Sequence, residues 1–178
     1  ASVGTVAYGV ADTVNRYPVV GGASLGYDGS GNLISGGGST FGYNTELQLT
    51  SSTNGVVSSS YNYDPFGRMV QGAVGATTTR QYYVGTTLMG DYSSTGVLQS
   101  RYVAGALGEP LAKVTSGGVE SYYHTDGQGS VVAITDSTGN VANRYAYSPF
   151  GETSTALTGT KFGFQGGIYD TASNAYLR

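Results

Sequence analysis

Residues 61–69 read YNYDPFGRM, and residues 145–151 repeat nearly the same phrase as YAYSPFG. A third version, YDGSGNL, occupies residues 27–33. An Asp, Asn or Ser that opens a turn accepts hydrogen bonds from backbone N–H groups, Pro fixes φ at the second position, and Gly closes the turn. Tyrosines two residues apart suit one face of a strand. The phrase therefore predicts a repeated strand–turn–strand unit.

Asp64 allows two interpretations, a turn residue or an acid catalyst. Ser148 takes the equivalent position in the second phrase. A hydroxyl can replace a carboxylate in a turn, whereas proton transfer usually requires the acid itself. This substitution favours the architectural role for Asp64.

Turn signals recur along the chain and indicate many short strands. They lie at residues 28–32, 54–55, 64–67, 93–96, 116–118, 126–129, 136–140 and 148–151. The short tracts at 36–38 and 77–79 are expected to be loops or edge strands.

The composition agrees with a strand protein and excludes several classes of function. Thirty glycines and sixteen tyrosines, with two methionines and no Trp, disfavour helices. The eight basic residues are spread almost evenly, so the clustered cations that bind nucleic acid are missing. Cysteine is absent, which excludes disulfides and thiolate metal sites. Apolar runs are far too short for a membrane-spanning helix.

The repeated phrases resemble a known family. Residues 27–33 and 63–69 are similar to the YD repeats of bacterial Rhs proteins, which also occur in toxin-complex C-components and in teneurins. Residues 122–131, YYHTDGQGSV, resemble the YYHxDxxGS signature of that family. Residues 162–178 resemble the opening of the final segment of the Rhs-associated core. The resemblance covers nearly the whole chain from about residue 12.

The resemblance implies an all-β fold, in which consecutive antiparallel β-hairpins of YD repeats form a curved or spiralling sheet. In larger members this sheet makes a hollow shell around a C-terminal toxin. We expect one scaffold segment over residues 1–178 with a C-terminal core motif at 162–178. The expected repeats lie near residues 27–33, 43–49, 63–69, 91–98, 122–131, 135–141 and 145–151.

The sequence departs from the complete family pattern at its end. It stops at Arg178, before the Asp-Pro motif that the family associates with self-cleavage. Asp64 matches only an ordinary repeat turn, so autoproteolysis is not transferred to it. No toxin domain is recognisable within these residues.

His124, Asp126 and Ser130 supply the three residue types of a catalytic triad within one short stretch. Triads are assembled by the fold and not by close sequence order. On a strand His124 and Asp126 would point the same way, but Ser130 lies beyond a two-glycine turn. We therefore predict a turn-capping polar cluster here and no catalytic residue.

Four further residues, Asp28, Asn32, Asp136 and Asn140, could offer oxygen ligands to calcium. The EF-hand spacing and the nonapeptide calcium repeat are both missing, so isolated Asx-turns are the better interpretation. Residues 127–129 do not form a phosphate loop, because no helix and no Gly-Lys-Ser/Thr sequence follows. The sequence predicts no metal site and no cofactor.

We therefore expect a non-enzymatic structural module, extracellular or secreted, that acts as a shell wall or as a self-assembling fibre subunit. Its partners would be further YD repeats or copies of itself joined through β-edges, with a toxin cargo as another candidate. The alternative is a tyrosine-rich binding module for glycans or a cell-surface partner. An enzyme centred on His124 ranks last.

Overall fold

The computed structural model describes residues 6–149, 151–153, 156–170 and 175–177. Phe150 of the last expected repeat lies outside the described residues, as do residues 171–174 and Arg178 of the C-terminal motif.

Sixteen strands and one short 3-10 helix, Phe164–Gly166, make up the regular structure of the described residues. The strands are β1 Val19–Val20, β2 Ala23–Tyr27, β3 Leu33–Gly36, β4 Ser39–Tyr43, β5 Leu49–Thr53, β6 Ser58–Tyr63, β7 Met69–Val74, β8 Thr77–Val84, β9 Thr87–Ser93, β10 Leu98–Ala104, β11 Pro110–Thr115, β12 Glu120–Thr125, β13 Val131–Asp136, β14 Val141–Arg144, β15 Ile168–Asp170 and β16 Ala175–Leu177.

The first fourteen strands form one sheet in which every strand pairs with its neighbour in sequence. All these pairs are antiparallel, so successive turns alternate between the two ends of the strands. The strands β15 and β16 make a separate hairpin. The predicted all-β fold of consecutive antiparallel hairpins is confirmed. None of the described helices has the length and apolar character needed to cross a membrane.

The turn at residues 64–68 shows why the phrase repeats. The N–H of Asp64 donates a hydrogen bond to the carbonyl of Arg68, with N and O 3.0 Å apart. The Asp64 carboxylate accepts the N–H groups of Phe66 and Arg68 at 2.9 and 3.0 Å, and Gly67 takes a φ of 80°. The carboxylate is therefore a structural acceptor that fixes the turn.

The same two backbone hydrogen bonds recur in ten turns. In each, the N–H of the first residue donates to the carbonyl of the fifth, and the N–H of the fourth residue donates to the carbonyl of the first. They span residues 12–16, 28–32, 44–48, 64–68, 93–97, 105–109, 115–119, 126–130, 136–140 and 148–152. The turn at 44 falls in the expected repeat near 43–49, although Leu47 stands where Gly is usual. The turns at 12 and 105 carry no signal recognised in the sequence, because Asn15 replaces Gly in the first and Gly105 has no side chain to open the second.

The left-handed backbone at the fourth position of this turn favours glycine. Gly31 has a φ of 88°, whereas Gly29 in the same turn does not have a positive φ, and neither has an atom within 4 Å of an added Cβ. We expect Gly31→Ala to lower the free energy of unfolding by about 1–2 kcal/mol, since an L-residue is strained there. Gly29→Ala should be neutral or slightly stabilising. Urea unfolding of the two variants checks this, and equal effects would contradict it.

Four of the remaining hairpins of the sheet use two-residue loops, and they correct one expectation. The residue pairs 21–22, 37–38, 75–76 and 85–86 are each turns that begin with a Gly of positive φ, as two-residue hairpins demand. The tract 77–79 was expected to be a loop or an edge strand, which is wrong. It begins β8, which is paired on both sides by β7 and β9.

One face of the sheet is covered by the C-terminal segment, defined here as residues 156–170. Its Leu157 and Phe162 are buried in the same cluster as sheet residues from β9 to β13 and Tyr145. The sheet members of that cluster are Leu88, Tyr102, Tyr123, Val131, Ile134 and Tyr145. We call this the covered face and the opposite side the open face.

Candidate functional site

A row of tyrosine hydroxyls joins the turns at one end of the strands. We call this end of the sheet the tyrosine edge and these tyrosines the edge row. Each donates to the backbone carbonyl of the residue that follows the preceding turn on that edge, in the pairs Tyr27 to Tyr17, Tyr43 to Leu33, Tyr63 to Leu49, Tyr83 to Met69 and Tyr147 to Val131. The oxygen–oxygen distances run from 2.7 to 3.1 Å. The tyrosine before the turn therefore ties one repeat to the next, in addition to packing its ring against the strands.

The side chain that ends the turn has a related role. Arg68 donates from Nε to Oδ2 of Asp64 at 2.7 Å and lies over the Tyr83 ring, 5.4 Å from its centroid. Its Nη1 also donates to the carbonyl of Gly85 in the next turn of the edge. The side-chain hydrogen bond from Arg68 to Asp64 is the main reason that the pKa of Asp64 lies below its ordinary value.

Burial raises the pKa of several tyrosines, and this predicts a loss of stability in alkali. Burial is the main cause that raises the pKa of Tyr61 and of Tyr83 to about 12, from the ordinary value of 10.0. The folded state therefore keeps neutral phenols where the unfolded chain ionises. Their contribution is fully present below pH 10 and falls as the pH rises from 10 through 12.

Denaturant unfolding at pH 8, 10 and 11, with phenolate absorbance recorded in parallel, measures this loss. The free energy of unfolding should fall with pH in the wild type and fall less steeply in Tyr83→Phe, which cannot ionise. A wild-type stability that is the same at pH 8, 10 and 11 would contradict the prediction.

An ion pair anchors the C-terminal segment to β9. Lys161 Nζ lies 2.6 Å from Oδ1 of Asp91, and the Tyr102 hydroxyl donates to Oδ2 of the same carboxylate at 2.6 Å. Asp91 is 8% exposed. The buried carboxylate thus has one partner on each oxygen, as a buried charge requires.

A second polar anchor fastens the other end of the segment to β5 and β6. The buried Asp170 carboxylate lies 3.4 Å from the hydroxyl oxygens of Ser52 and Ser59. Tyr61, whose ring is buried beside them, also interacts with this carboxylate. The segment therefore spans the covered face from β13 back to β5.

Near β13 the segment is held by its backbone. The N–H of Val131 donates to the carbonyl of Gly163 at 3.1 Å, and the N–H of Gln165 donates to the Ser130 hydroxyl at 3.1 Å. Between these anchors the Phe162 ring meets Tyr102 and Tyr123 edge to face, with centroids 5.2 and 5.8 Å apart.

A cavity of about 660 Å³ opens at the tyrosine edge, between the sheet and the C-terminal segment. Its walls include Arg68, Tyr83, Leu107, Phe162 and Ile168. The size falls within the range of ligand pockets, but the guanidinium on its rim is already engaged by Asp64.

The structure does not bring His124, Asp126 and Ser130 together as a triad. His124 is exposed, with Nε2 3.0 Å from the Thr135 hydroxyl. Asp126 lies beyond the end of β12 and accepts the backbone N–H of Ser130 at 2.9 Å. The Ser130 hydroxyl is buried and accepts from the segment backbone, as described above. Two of the three residues thus serve the turn and the anchoring of the segment.

The candidate calcium ligands also lie in turns. The carboxylate of Asp28 accepts the N–H of Asn32 at 2.8 Å, and that of Asp136 accepts the N–H of Asn140 at 2.9 Å. Among the described residues, no group of three or more acidic or imidazole side chains is placed to hold a metal ion.

Sequence reasoning missed the residues that hold the C-terminal segment. Asp91 was only part of an expected repeat, and Lys161 was one of eight evenly spread cations. They are 70 residues apart, and no local pattern marks either as a partner of the other. An acidic residue inside a strand, at a position that neither opens nor closes a turn, is the one sequence signal that could have indicated Asp91.

Comparison with known proteins identifies relatives over almost the whole chain. The family model described as the teneurin YD-shell matches residues 2–175. Two curated relatives are the tRNA nuclease WapA of Bacillus subtilis (strain 168) and the tRNA3(Ser)-specific nuclease WapA of Bacillus spizizenii, each 28% identical over 173 residues. Each alignment covers 92% of this chain and 7% of the relative, so the chain spans a small part of those proteins.

Solved structures share the fold. The Tc holotoxin pore of Photorhabdus luminescens superposes with a TM-score of 0.61 at 19% identity, covering 83% of this chain and 8% of that one. The TcdB2–TccC3 structure gives a TM-score of 0.57 at 20% identity, covering 79% of this chain and 8% of that one. At this level of identity the likeness concerns the fold alone.

Proposed function

This chain belongs to the teneurin YD-shell family, and we propose that it is a non-enzymatic wall segment of a β-shell in an exported bacterial Rhs-type protein. The observation that carries the proposal is the sheet itself, in which fourteen strands follow one another in sequence order. Such a sheet grows by adding hairpins at its ends, which suits a wall of indefinite length.

The use of polar side chains supports a structural role. Acidic residues open or close turns, as Asp64 and Asp126 do, or anchor the C-terminal segment, as Asp91 and Asp170 do. The tyrosine hydroxyls of the edge row are bound to backbone carbonyls. We propose that residues 1–178 act as one scaffold segment, located outside the cell, whose covered face is fastened by the C-terminal segment.

The alternative, a tyrosine-based binding surface, is supported by few exposed rings on the sheet strands. Tyr82 and Tyr122 are exposed large aromatics on the sheet strands, while the rings of the edge row are at least half-buried. A glycan-binding module would need several rings exposed on one face.

The N-terminal edge of the sheet offers a test of wall growth. Gly9 donates to the carbonyl of Val19, and Gly21 donates to the carbonyl of Ala7, so the polar backbone groups of Tyr8 and Val10 point away from β1. Val10 is 89% exposed. Among the described residues no strand pairs with this outer side, which can therefore accept a strand of a second chain.

Electron microscopy of the purified chain tests the proposal. We expect curved or tubular polymers formed by edge-to-edge addition, and fewer of them with Val10→Pro, which removes an outward N–H without removing a hydrogen bond of the fold. Val10→Thr is the matched control and should assemble like the wild type. Dispersed monomers from the wild type, with retention on a glycan column, would replace the wall proposal by the binding module.

A further inference from the structure

The ion pair between Lys161 and Asp91 brings an amine and a carboxyl group into direct contact. Nζ and Oδ1 are 2.6 Å apart, and the side chains are 17% and 11% exposed. The second oxygen, Oδ2, is held by the Tyr102 hydroxyl at 2.6 Å. Rings of Tyr102, Tyr123 and Phe162 pack edge to face beside the pair. Amine, carboxyl and a hydrogen-bond donor to the carboxyl therefore meet in an apolar, water-poor site.

Burial at this site favours the uncharged form of the Lys161 amine. Burial lowers the pKa of Lys161 below its ordinary value of 10.5, against the opposing effect of the Asp91 charge. In a low-dielectric environment, transfer of one proton within the pair replaces two buried charges by a neutral amine and a carboxylic acid. A neutral amine is a nucleophile, and an ammonium is not.

We propose that Lys161 and Asp91 form an intramolecular isopeptide bond that fastens the C-terminal segment covalently to β9. This modification would turn a polar anchor into a permanent strap across the covered face. It is independent of the wall role, since it concerns a bond within one chain.

The reaction balances without any co-reactant. The Lys161 ammonium passes one proton to Oδ1 of Asp91, and the freed lone pair of Nζ forms a bond to Cγ. Negative charge that develops on Oδ2 is stabilised by the Tyr102 O–H, as in an oxyanion hole. The Cγ–Oδ1 bond then breaks, and Oδ1 leaves as water with that proton and a second proton from Nζ. The product is an amide whose carbonyl oxygen is Oδ2, and nothing is oxidised or reduced.

A second lysine of the covered face provides the control. Lys113 Nζ donates to the carbonyl of Gly159 at 2.7 Å, and no carboxylate of the described residues forms an ion pair with it. Lys113, on β11, therefore contacts the segment from a partly buried position, but its amine is not paired with a carboxyl group that it could attack.

Mass spectrometry of the whole chain tests the proposal. We expect the folded wild type to be lighter than its sequence by one water, about 18 Da, and Lys113→Arg to show the same loss. Lys161→Arg, which can keep the ion pair but cannot condense in this way, should have its full sequence mass. Tyr102→Phe, which lacks the donor to Oδ2, should form the bond more slowly after refolding.

Peptide mapping decides the outcome even if Lys161→Arg fails to fold. Trypsin should release residues 81–101 joined to residues 145–178, uncleaved after Lys161, because the bond blocks that site. A folded wild type that keeps its full mass after prolonged incubation at neutral pH, and that is cleaved after Lys161, would overturn the proposal. A loss of water that maps to any other pair of residues would overturn it as well.

Discussion

Replacing Phe162 by Ala is expected to lower the free energy of unfolding by about 3–5 kcal/mol. The Phe162 ring is 8% exposed and lies between Tyr102 and Tyr123, with both contacts edge to face. Removing it leaves a cavity at the junction of the C-terminal segment and the sheet, and it also removes two aromatic contacts that stabilise beyond burial alone. Urea unfolding followed by circular dichroism measures the change.

Phe66 supplies a matched control for this substitution. It lies at the tip of the turn at 64–68, is 85% exposed, and contacts the Arg68 guanidinium at 5.3 Å from its ring centroid. Phe66→Ala removes the same number of atoms and should change the free energy of unfolding by less than about 1 kcal/mol. Comparable losses from both variants would show that the C-terminal segment does not pack on the sheet as described.

The hairpins were predictable from sequence because their determinants are local. In residues 64–68 the acceptor, the proline and the glycine lie within five positions, and the hydrogen bonds they make stay within the turn. The turn at 44–48 was harder to recognise, since Asn44 supplies the acceptor but Leu47 takes a φ of 62° where glycine is usual. Local strain that the surrounding structure tolerates leaves no sequence pattern.

The covered face was not predictable, because its determinants are far apart in the sequence. Asp91 meets Lys161 across 70 residues, and Asp170 meets Ser52 across 118. Such contacts depend on the path of the whole sheet and on where the C-terminal segment crosses it. No short sequence motif indicates either of these. The motif at 162–178 was recognised by resemblance. Only the structure shows that residues 162–170 belong to a second layer that packs on the sheet.

Family relationship and local chemistry constrain different parts of the candidate site. The match over residues 2–175 accounts for the hairpin array. Two contacts of the C-terminal segment are seen in the structure: Lys161 pairs with Asp91 on β9, and Asp170 lies beside Ser52 and Ser59 on β5 and β6. An open sheet with one apolar face needs such a second layer, because a lone antiparallel sheet leaves that face in water.

Ending the chain at residue 155 is therefore expected to abolish cooperative unfolding of β9–β14. The truncation exposes Leu88, Tyr102, Tyr123 and Ile134, all now buried under the segment. Burial of each such side chain contributes about 1.5–3 kcal/mol, so four of them together rival the 5–15 kcal/mol that stabilises a typical domain. Thermal unfolding and binding of a hydrophobic dye measure the result.

Removing residues 1–10 instead is the control for the truncation, since the described side chains Val6, Tyr8 and Val10 are exposed. That variant should keep a cooperative transition near the wild-type temperature and bind little dye. The strands β2–β7 contain few buried apolar side chains, Tyr61 and Met69 among them, so they should unfold at lower denaturant than β9–β14 in the intact chain. If the chain ending at residue 155 melts as sharply as the wild type, the sheet is stable without its second layer, and the C-terminal segment is not needed to stabilise it.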